Sequence, residues 1–567
     1  MPRLADYQPD RTWVAHYPAG VQSQLEYPQQ PVSWLLEKAV QEHPDIIACQ
    51  YYNQQMTYAQ LLTQSQRLAS ALTRLGLQPG DRVGILLPNI PEYLVALFGT
   101  WFAGGIVVPL NPLMVREEIE ALLESTQCRV VVALDLLLPL VAAHAAQHSE
   151  TIILTSLKDR LPWLSRQLYR LARFQRLGLR TLPANVAQFD AVLATGQVNP
   201  ELPRPSPDQP ALILPTGGTT GRPKAVVLTH SNLLSNAWQL FHWTGQSTGH
   251  DVLLACLPFF HSYGLTACAL AGIAMNATLV LHHRFRAKTV LRLIERWRPT
   301  MIPAVPAMLA AFNRELRKRH YAIRGVRACI SGGAPLDPAI ATEFSQHTGA
   351  VVVEGYGLSE ASPVTHAGPL DGTARPGTIG LPLPDTDALI VDAETGTEIL
   401  PPGQVGELII RGPQVMAGYW NNPEATAAAI RDGWLFTGDL AMCDIDGFFK
   451  IVDRKKDLII TSGYNVYPTD VEHVLSRFEG IEDIAVLGVP DPVRGELVKA
   501  VVVPKAGQRF NRRAFDHYAE EHLEIHKRPK IVEVVAGPLP RNPLGKILRR
   551  VLRELHAQKE TSHAGAA

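Results

Sequence analysis

Cysteine is scarce in this chain: six residues among 567, at Cys49, Cys128, Cys256, Cys268, Cys329 and Cys443. None forms a C-x-x-C pair, so the spacing offers neither a disulfide framework nor a zinc site. The pattern predicts reduced, buried thiols in a cytoplasmic protein. A surplus of either charge is missing too, because 53 Lys+Arg balance 53 Asp+Glu. Bulk binding to nucleic acid needs a basic excess, so no nucleic-acid partner is expected. The opening residues, MPRLADYQPD, hold no apolar run, which predicts no signal peptide. Unbroken apolar stretches of membrane-spanning length are lacking as well. Segment 93–115 has no formal charge, but Gly104, Gly105, Pro109 and Pro112 interrupt it. It reads as a buried helix over 91–103, a Gly-Gly turn and a strand over 106–110. Segment 252–283 is broken likewise by Pro258, His261, Gly264 and Asn276.

What is present fits a large folded protein. Hydrophobic residues make up 46% and charged ones 19%, which is ordinary for a packed protein. The length exceeds what one hydrophobic core supports, so two domains or more are expected. Strand-like runs at 82–87, 130–134, 152–154, 279–281 and 351–353 alternate with amphipathic stretches, the rhythm of an α/β sheet with helical crossovers. From 377 to 412 short strands with frequent Pro and Gly suggest a small β-rich module. After the charged run at 453–457 the texture becomes compact α+β, with a helix over 468–478 and strands over 484–489 and 498–503. These readings predict a domain over 1–453, a hinge at 454–457, a second domain over 458–555 and a disordered tail over 556–567.

The sharpest chemical signal is the run Thr216, Gly217, Gly218, Thr219, Thr220, Gly221, Arg222, Pro223, Lys224. Three glycines let backbone N–H groups approach an oxyanion, three Thr hydroxyls add donors and Lys224 adds charge. It does not match the Walker A pattern, and both flanks, 211–214 and 225–228, read as strands. Taken alone, its alternative reading is a Gly/Thr turn in a hairpin, though few plain turns need three glycines and three threonines. Lysine is rare here, 14 against 39 arginines, which gives Lys224 more weight.

Six further motifs follow in order: PFFHSYG at 258–264, SGGAP at 331–335, GYGLSE at 355–360, GWLFTGD at 433–439, DRKKD at 453–457 and PRNPLGK at 540–546. With the loop they closely resemble the adenylate-forming acyl-CoA synthetases, from about residue 33 to 550. The stretch from Asp453 to Pro468 is most like the bacterial long- and medium-chain fatty-acid–CoA ligases. The resemblance implies an α/β fold: a large N-terminal domain of two αβ-layered subdomains plus a small β-barrel-like module, and a smaller, mobile α+β C-terminal domain. It implies ATP, Mg2+ and coenzyme A as cofactors and a fatty acid as substrate, activated as acyl-AMP with loss of pyrophosphate.

Roles come over residue by residue. The loop resembles the cradle for the β- and γ-phosphates, with Thr216 and Glu360 toward magnesium. Gly332, Gly333, Ala334, Pro335 and Tyr356 resemble the adenine slot, and Gly355, Gly357 and Ser359 further cofactor-binding positions. Asp439 matches the carboxylate that takes both ribose hydroxyls, and Arg454 a second ribose or phosphate contact. His261 matches the gate beside the substrate carboxylate, while Phe260, Tyr263, Gly264 and Leu265 resemble the mouth of the acyl tunnel. Ser462, Gly463 and Tyr464 resemble the turn along the pantetheine path, Lys456 the hinge and Lys546 the adenylation lysine. Alone, His261 reads as a core histidine, Glu360 as a solvated loop acid and Lys546 as a surface lysine of a basic helix. The family usually has Gly after the loop lysine, where this chain has Ala225; the valines that follow predict extended backbone there. Ligases for aryl or short acids, and enzymes that load a carrier protein, remain alternatives; oligomeric state is not readable.

One basic segment stands apart. Over 157–182, Arg166, Arg170, Arg173 and Arg176 each follow a leucine or phenylalanine partner by two residues, about 200° around a helix. An amphipathic helix is expected, either lying on an anionic membrane at the inner face or packed on the protein with its arginines in water.

Overall fold

The computed structural model describes residues 4, 7–148, 150–158, 160–161, 163–177, 185–199, 204–215, 224–246, 248–462, 464–542 and 545–564. The chain divides into two compact units. One comprises Trp13–Asp387 with Arg411–Leu435; the other comprises Met1–Thr12, Ala388–Ile410 and Phe436–Ala567.

The larger unit is built on two sheets. In the first, strands Arg82–Leu86, Ile106–Pro109, Cys128–Leu134, Thr151–Thr155, Val186–Gln188 and Pro210–Pro215 run parallel. Ala225–Thr229 and the two-residue strand Gly418–Tyr419 add antiparallel at one edge. The second is nine-stranded, with a parallel centre from Ile47–Tyr51 to Val351–Gly357. Between them lies the helix Pro91–Phe102, started by Pro at its first turn and buried at every position. The uncharged segment beginning there is thus core: its helix ends at a turn with Gly104 at φ +74°, and the strand Ile106–Pro109 follows. Among the described residues no helix is long and apolar enough to cross a membrane.

The smaller unit carries a sheet of Ile459–Thr461, Tyr464–Val466, Gly495–Pro504, Ile481–Asp491 and Ile531–Val534. Apolar clusters form on two sides of its long hairpin, one around Val486, Val502 and Phe515, the other around Leu487, Val501 and Leu552. The β-rich module, strands Asp387–Val391, Gly406–Arg411, Trp434–Cys443 and Phe449–Arg454 with Ile430–Arg431, has a strand order that does not close on itself.

Three expectations change. The compact units do not part at 453, because the start of the charged run is woven into the module: Asp439 pairs with Arg454 and Leu440 with Asp453. Thr469 N then donates to Asp453 Oδ2 at 2.8 Å, tying that strand to the next helix. The expected disordered tail is helical to Ala564, continuing the helix that starts at Arg549. Leu552 is buried, and Lys499 Nζ meets His556 Nδ1 at 2.8 Å, so the helix is anchored where composition suggested fraying. Finally, the basic segment forms the helix Trp163–Leu177, but its apolar face is the outward one. Trp163, Leu164, Leu168 and Leu171 are 71%, 65%, 63% and 54% exposed. Tyr169 is buried and donates to Asp135, while Arg173 Nε donates to Asp135 Oδ2 at 2.8 Å. The six cysteines are free, five of them buried and Cys443 half-buried.

Candidate active site

In the larger unit, Lys224 immediately precedes the strand Ala225–Thr229, whose last residue caps the helix His230–Trp243 through Thr229 Oγ1 and Asn232. Ala225 lies in this strand and is not among the positive-φ residues, so its methyl is accommodated. Residues 216–221, expected as the phosphate cradle, lie outside the described residues. Glu360 sits on the short turn Ser359–Ala361, just past Val351–Gly357. Its carbonyl accepts from Met416 N at 2.8 Å, and Ser362 Oγ donates to Gln414 O at 2.8 Å, so the turn is fastened on two sides. Tyr419, which no sequence motif singled out, joins the two. Its hydroxyl donates to Glu360 Oε1 at 2.9 Å, and Lys224 Nζ lies 4.9 Å from its ring centroid. Among the described residues no group of three or more His, Cys, Asp or Glu could hold a metal ion. Glu360 would have to act with substrate oxygens.

The gate and slot residues are neighbours in the same unit. Tyr263 Oη donates to Ile330 O at 2.8 Å, and a Cβ on Gly332 would stand 3.1 Å from the Tyr263 ring. Backbone of the SGGAP turn thus lies against an aromatic face. Gly333 there has φ +81°, and half-buried Ala334 and exposed Pro335 follow. Ser262 Oγ and Ser359 Oγ are 3.3 Å apart, linking the gate motif to the Glu360 turn. Tyr356 stands edge-on to His366, with ring centroids 5.9 Å apart, between Gly355 and Gly357 on the strand. Leu336 N donates to Glu354 Oε2 at 3.1 Å, and burial pushes the Glu354 carboxyl up to about 7.

His261 is half-buried beside Phe260, and desolvation lowers its imidazole to about 4, so the ring is neutral near pH 7. Its Nδ1 accepts from Tyr263 N at 3.3 Å. Gly264 opens a π-helical turn over Gly264–Leu270; a Cβ there would fall 2.1 Å from Pro258 O. Only glycine allows the motif to fold back so closely, and π-turns often mark functional positions. Leu265 is fully buried.

The smaller unit gathers the remaining charged candidates. Arg454 Nε lies 3.3 Å from Asp439 Oδ1 across their strand pair. Buried Glu407 holds the Asp439 loop, accepting from Gly438 N at 3.1 Å and from Lys455 Nζ at 2.7 Å. Lys546 rides a tight turn: Asn542 Oδ1 accepts from Lys546 N at 2.9 Å, and Gly545 has φ +85°. Burial lowers the Lys546 ammonium to about 8; Arg454, Arg549 and Lys456 push the same way, and Asp439 opposes them. Lys456 is lowered by burial and by Arg454. Hence Asp439, Arg454, Lys456 and Lys546 form one electrostatic neighbourhood. Ser462 and Tyr464 belong to a separate hairpin, where Ser462 N donates to Arg494 O at 2.7 Å and Tyr464 stacks on His526 at 4.6 Å. Gly463 lies outside the described residues.

The larger unit thus links Lys224 and Glu360 through Tyr419, and the smaller one gathers Asp439, Arg454, Lys456 and Lys546. The chain belongs to the AMP-binding enzyme family, whose model matches residues 36–420; the AMP-binding enzyme C-terminal domain matches 470–546. A long-chain-fatty-acid–CoA ligase of Bacillus subtilis (strain 168) is 41% identical over 563 residues, covering 98% of this chain and 100% of the relative. A feruloyl-CoA synthase of an Amycolatopsis species is 35% identical over 522 residues, covering 92% and 98%. Among solved structures, ATP-bound MatB from Rhodopseudomonas palustris matches with a TM-score of 0.82 at 31% identity, covering 93% of this chain and 99% of that one.

Proposed function

We propose that the protein is an ATP-dependent fatty-acid–CoA ligase. The fatty carboxylate attacks the α-phosphorus of ATP, giving acyl-AMP and pyrophosphate; the thiol of coenzyme A then attacks the acyl carbon and AMP leaves. The observation that carries the reading is the end-to-end likeness to the Bacillus subtilis long-chain-fatty-acid–CoA ligase, beside the motifs of this chain that hold Lys224, Glu360, Asp439 and Lys546.

Charge builds on phosphoryl oxygens in the first step, so preorganised cations lower its barrier. Lys546 supplies one as a point charge and Lys224 another. Asp439 takes the two ribose hydroxyls on its two oxygens, steadied by Arg454 and by Glu407 behind its loop. Magnesium, when bound, would neutralise the leaving pyrophosphate. Glu360 fits it, since one carboxylate oxygen stays available beyond the one that Tyr419 occupies, and magnesium usually takes one or two carboxylates plus phosphates and water. Thr216 would assist. Neutral His261 and Tyr263 face the carboxylate end of the substrate, with Phe260, Gly264 and Leu265 bounding the start of the acyl chain. Lys456 serves as hinge between the half-reactions, and Ser462, Gly463 and Tyr464 guide pantetheine. The feruloyl-CoA synthase relative favours one other reading, an aryl acid as substrate. Pyrophosphate release measured with saturated acids of about six to eighteen carbons against ferulate and benzoate decides between them; turnover of aryl acids alone would overturn the fatty-acid reading.

The proposal includes contact with an anionic lipid surface at the inner face of a membrane. Its support is the helix Trp163–Leu177, whose exposed apolar face is flanked by exposed Arg170 and which holds no acidic residue. Such a helix seats its apolar face among acyl chains with basic flanks at headgroup level. Fatty acids partition into the same surface.

A further inference from the structure

Tyr419 is the residue that ties together two loops from distant parts of the chain. The short strand it occupies pairs antiparallel with Ala225–Thr229, setting Tyr419 opposite Val226 and Gly418 opposite Val227. Trp420 N donates to Ala225 O at 2.8 Å, and Ala417 N to Val227 O at 3.1 Å, so the register is fixed right beside Lys224. On the other side, Met416 N holds the Glu360 carbonyl at 2.8 Å. Thr426 Oγ1 accepts from Tyr419 N at 2.9 Å, which holds the backbone at this residue. Its hydroxyl meets Glu360 Oε1 at 2.9 Å and its ring faces Lys224 Nζ at 4.9 Å.

We propose that Tyr419 is a positioning residue for the magnesium–triphosphate end of the site, orienting the Glu360 carboxylate with its hydroxyl and the Lys224 ammonium with its ring. The inference rests on the reading of Glu360 as the magnesium carboxylate. The hydroxyl makes a charge-assisted hydrogen bond to one carboxylate oxygen, restraining the side chain and leaving Oε2 for a cation. The ring's negative face steadies the ammonium without neutralising it, as a carboxylate partner would. Tyr419 thereby supplies two separable functions from one side chain.

The separation gives the test. Equilibrium binding of ATP to the full-length protein is measured by calorimetry across a magnesium titration, so the readout does not depend on turnover. Tyr419→Phe keeps the ring and loses the hydroxyl; it is expected to leave magnesium-free ATP affinity within about twofold and to raise the magnesium needed for half-saturation about tenfold. Tyr419→Leu loses both functions and is expected to weaken magnesium-free ATP binding as well. In a double-mutant cycle, adding Tyr419→Phe to Glu360→Gln should produce no further change in the magnesium dependence. A Tyr419→Phe titration that overlays the parent, with Glu360→Gln shifted, overturns the role of Tyr419 alone. A Glu360→Gln titration that overlays the parent removes the magnesium carboxylate and this proposal with it. Additive effects of the two substitutions also overturn it, since they would mean that Tyr419 does not act through Glu360.

Discussion

The charge state of Lys546 makes the first half-reaction sensitive to pH in a direction that can be worked out. Its ammonium is lowered from 10.5 to about 8, first by burial and then by Arg454. Described residues around it are fastened: Arg541 Nη2 donates to both Asp483 oxygens at 2.7 and 2.8 Å, and Asn542 N donates to Lys546 O at 2.9 Å. If the protonated form is the one that meets developing phosphoryl charge, only about a tenth of the enzyme is competent at pH 9, and each further unit costs about another factor of ten. The assay is pyrophosphate release without coenzyme A from pH 6.5 to 9.5, analysed as kcat/KM, which reports ionisation of the free enzyme. An alkaline limb near pH 8 is expected. Lys546→Arg should move that limb beyond the range, because guanidinium stays charged, while lowering the plateau. Stability runs the other way. The unfolded lysine keeps its proton to about 10.5, so this group favours the fold increasingly as pH rises from about 8 to 10.5. Loss of rate at pH 9 is therefore not unfolding at this group. A parental profile flat to pH 9.5, or an Arg variant with the same limb, would refute the reasoning.

Two other outcomes are expected. The Glu354 carboxyl is pushed up to about 7 by burial, so the fold binds more protons than the unfolded chain between pH 4.5 and 7 and loses stability across that window. Glu354→Gln should melt higher than the parent at pH 8, by at most about 3 kcal/mol of stability, and show little difference at pH 4; an equal gap at both would show another cause. Replacing Trp163, Leu168 and Leu171 together by Ser should reduce sedimentation with vesicles containing an anionic phospholipid while activity on a short soluble acid persists; undiminished vesicle binding would discard the lipid contact.

Where a local pattern carried its own stop signals, the sequence reading came close to the structure. Strands expected at 211–214 and 225–228 are Pro210–Pro215 and Ala225–Thr229, and the helix expected over 91–103 is Pro91–Phe102, bounded by Pro and by the Gly-Gly turn. Asp439 and Arg454, to which the resemblance gave separate contacts, are strand partners in the structure. What stayed hidden depends on contacts between distant residues. Tyr419 acquires its position from a two-residue strand, too short to leave any periodicity, and meets Glu360 across 59 positions of chain. Glu407 reads as an ordinary acid in a strand until Lys455, 48 residues away, closes on it. The helix Trp163–Leu177 showed two faces in sequence but not which one turns inward. Asp135 decides that by drawing Tyr169 and Arg173 to itself. Composition alone misjudged the end of the chain, since polar helix formers look alike in a tail and in a helix anchored by Leu552.

The two half-reactions make different demands on Lys546: the first needs a cation against phosphoryl charge, and the second, thiol attack on an acyl carbon, does not. Lys546→Ala, assayed for acyl-AMP formation from ATP and a fatty acid and separately for conversion of supplied acyl-AMP plus coenzyme A, measures both. Adenylation is expected to fall by at least ~10²-fold, the scale for removing one preorganised stabiliser of transition-state charge, with thioester formation close to the parental rate. Adenylation at the parental rate, or an equal collapse of both steps in a variant with an unchanged melting curve, would contradict a two-step ligase in which Lys546 serves the first step.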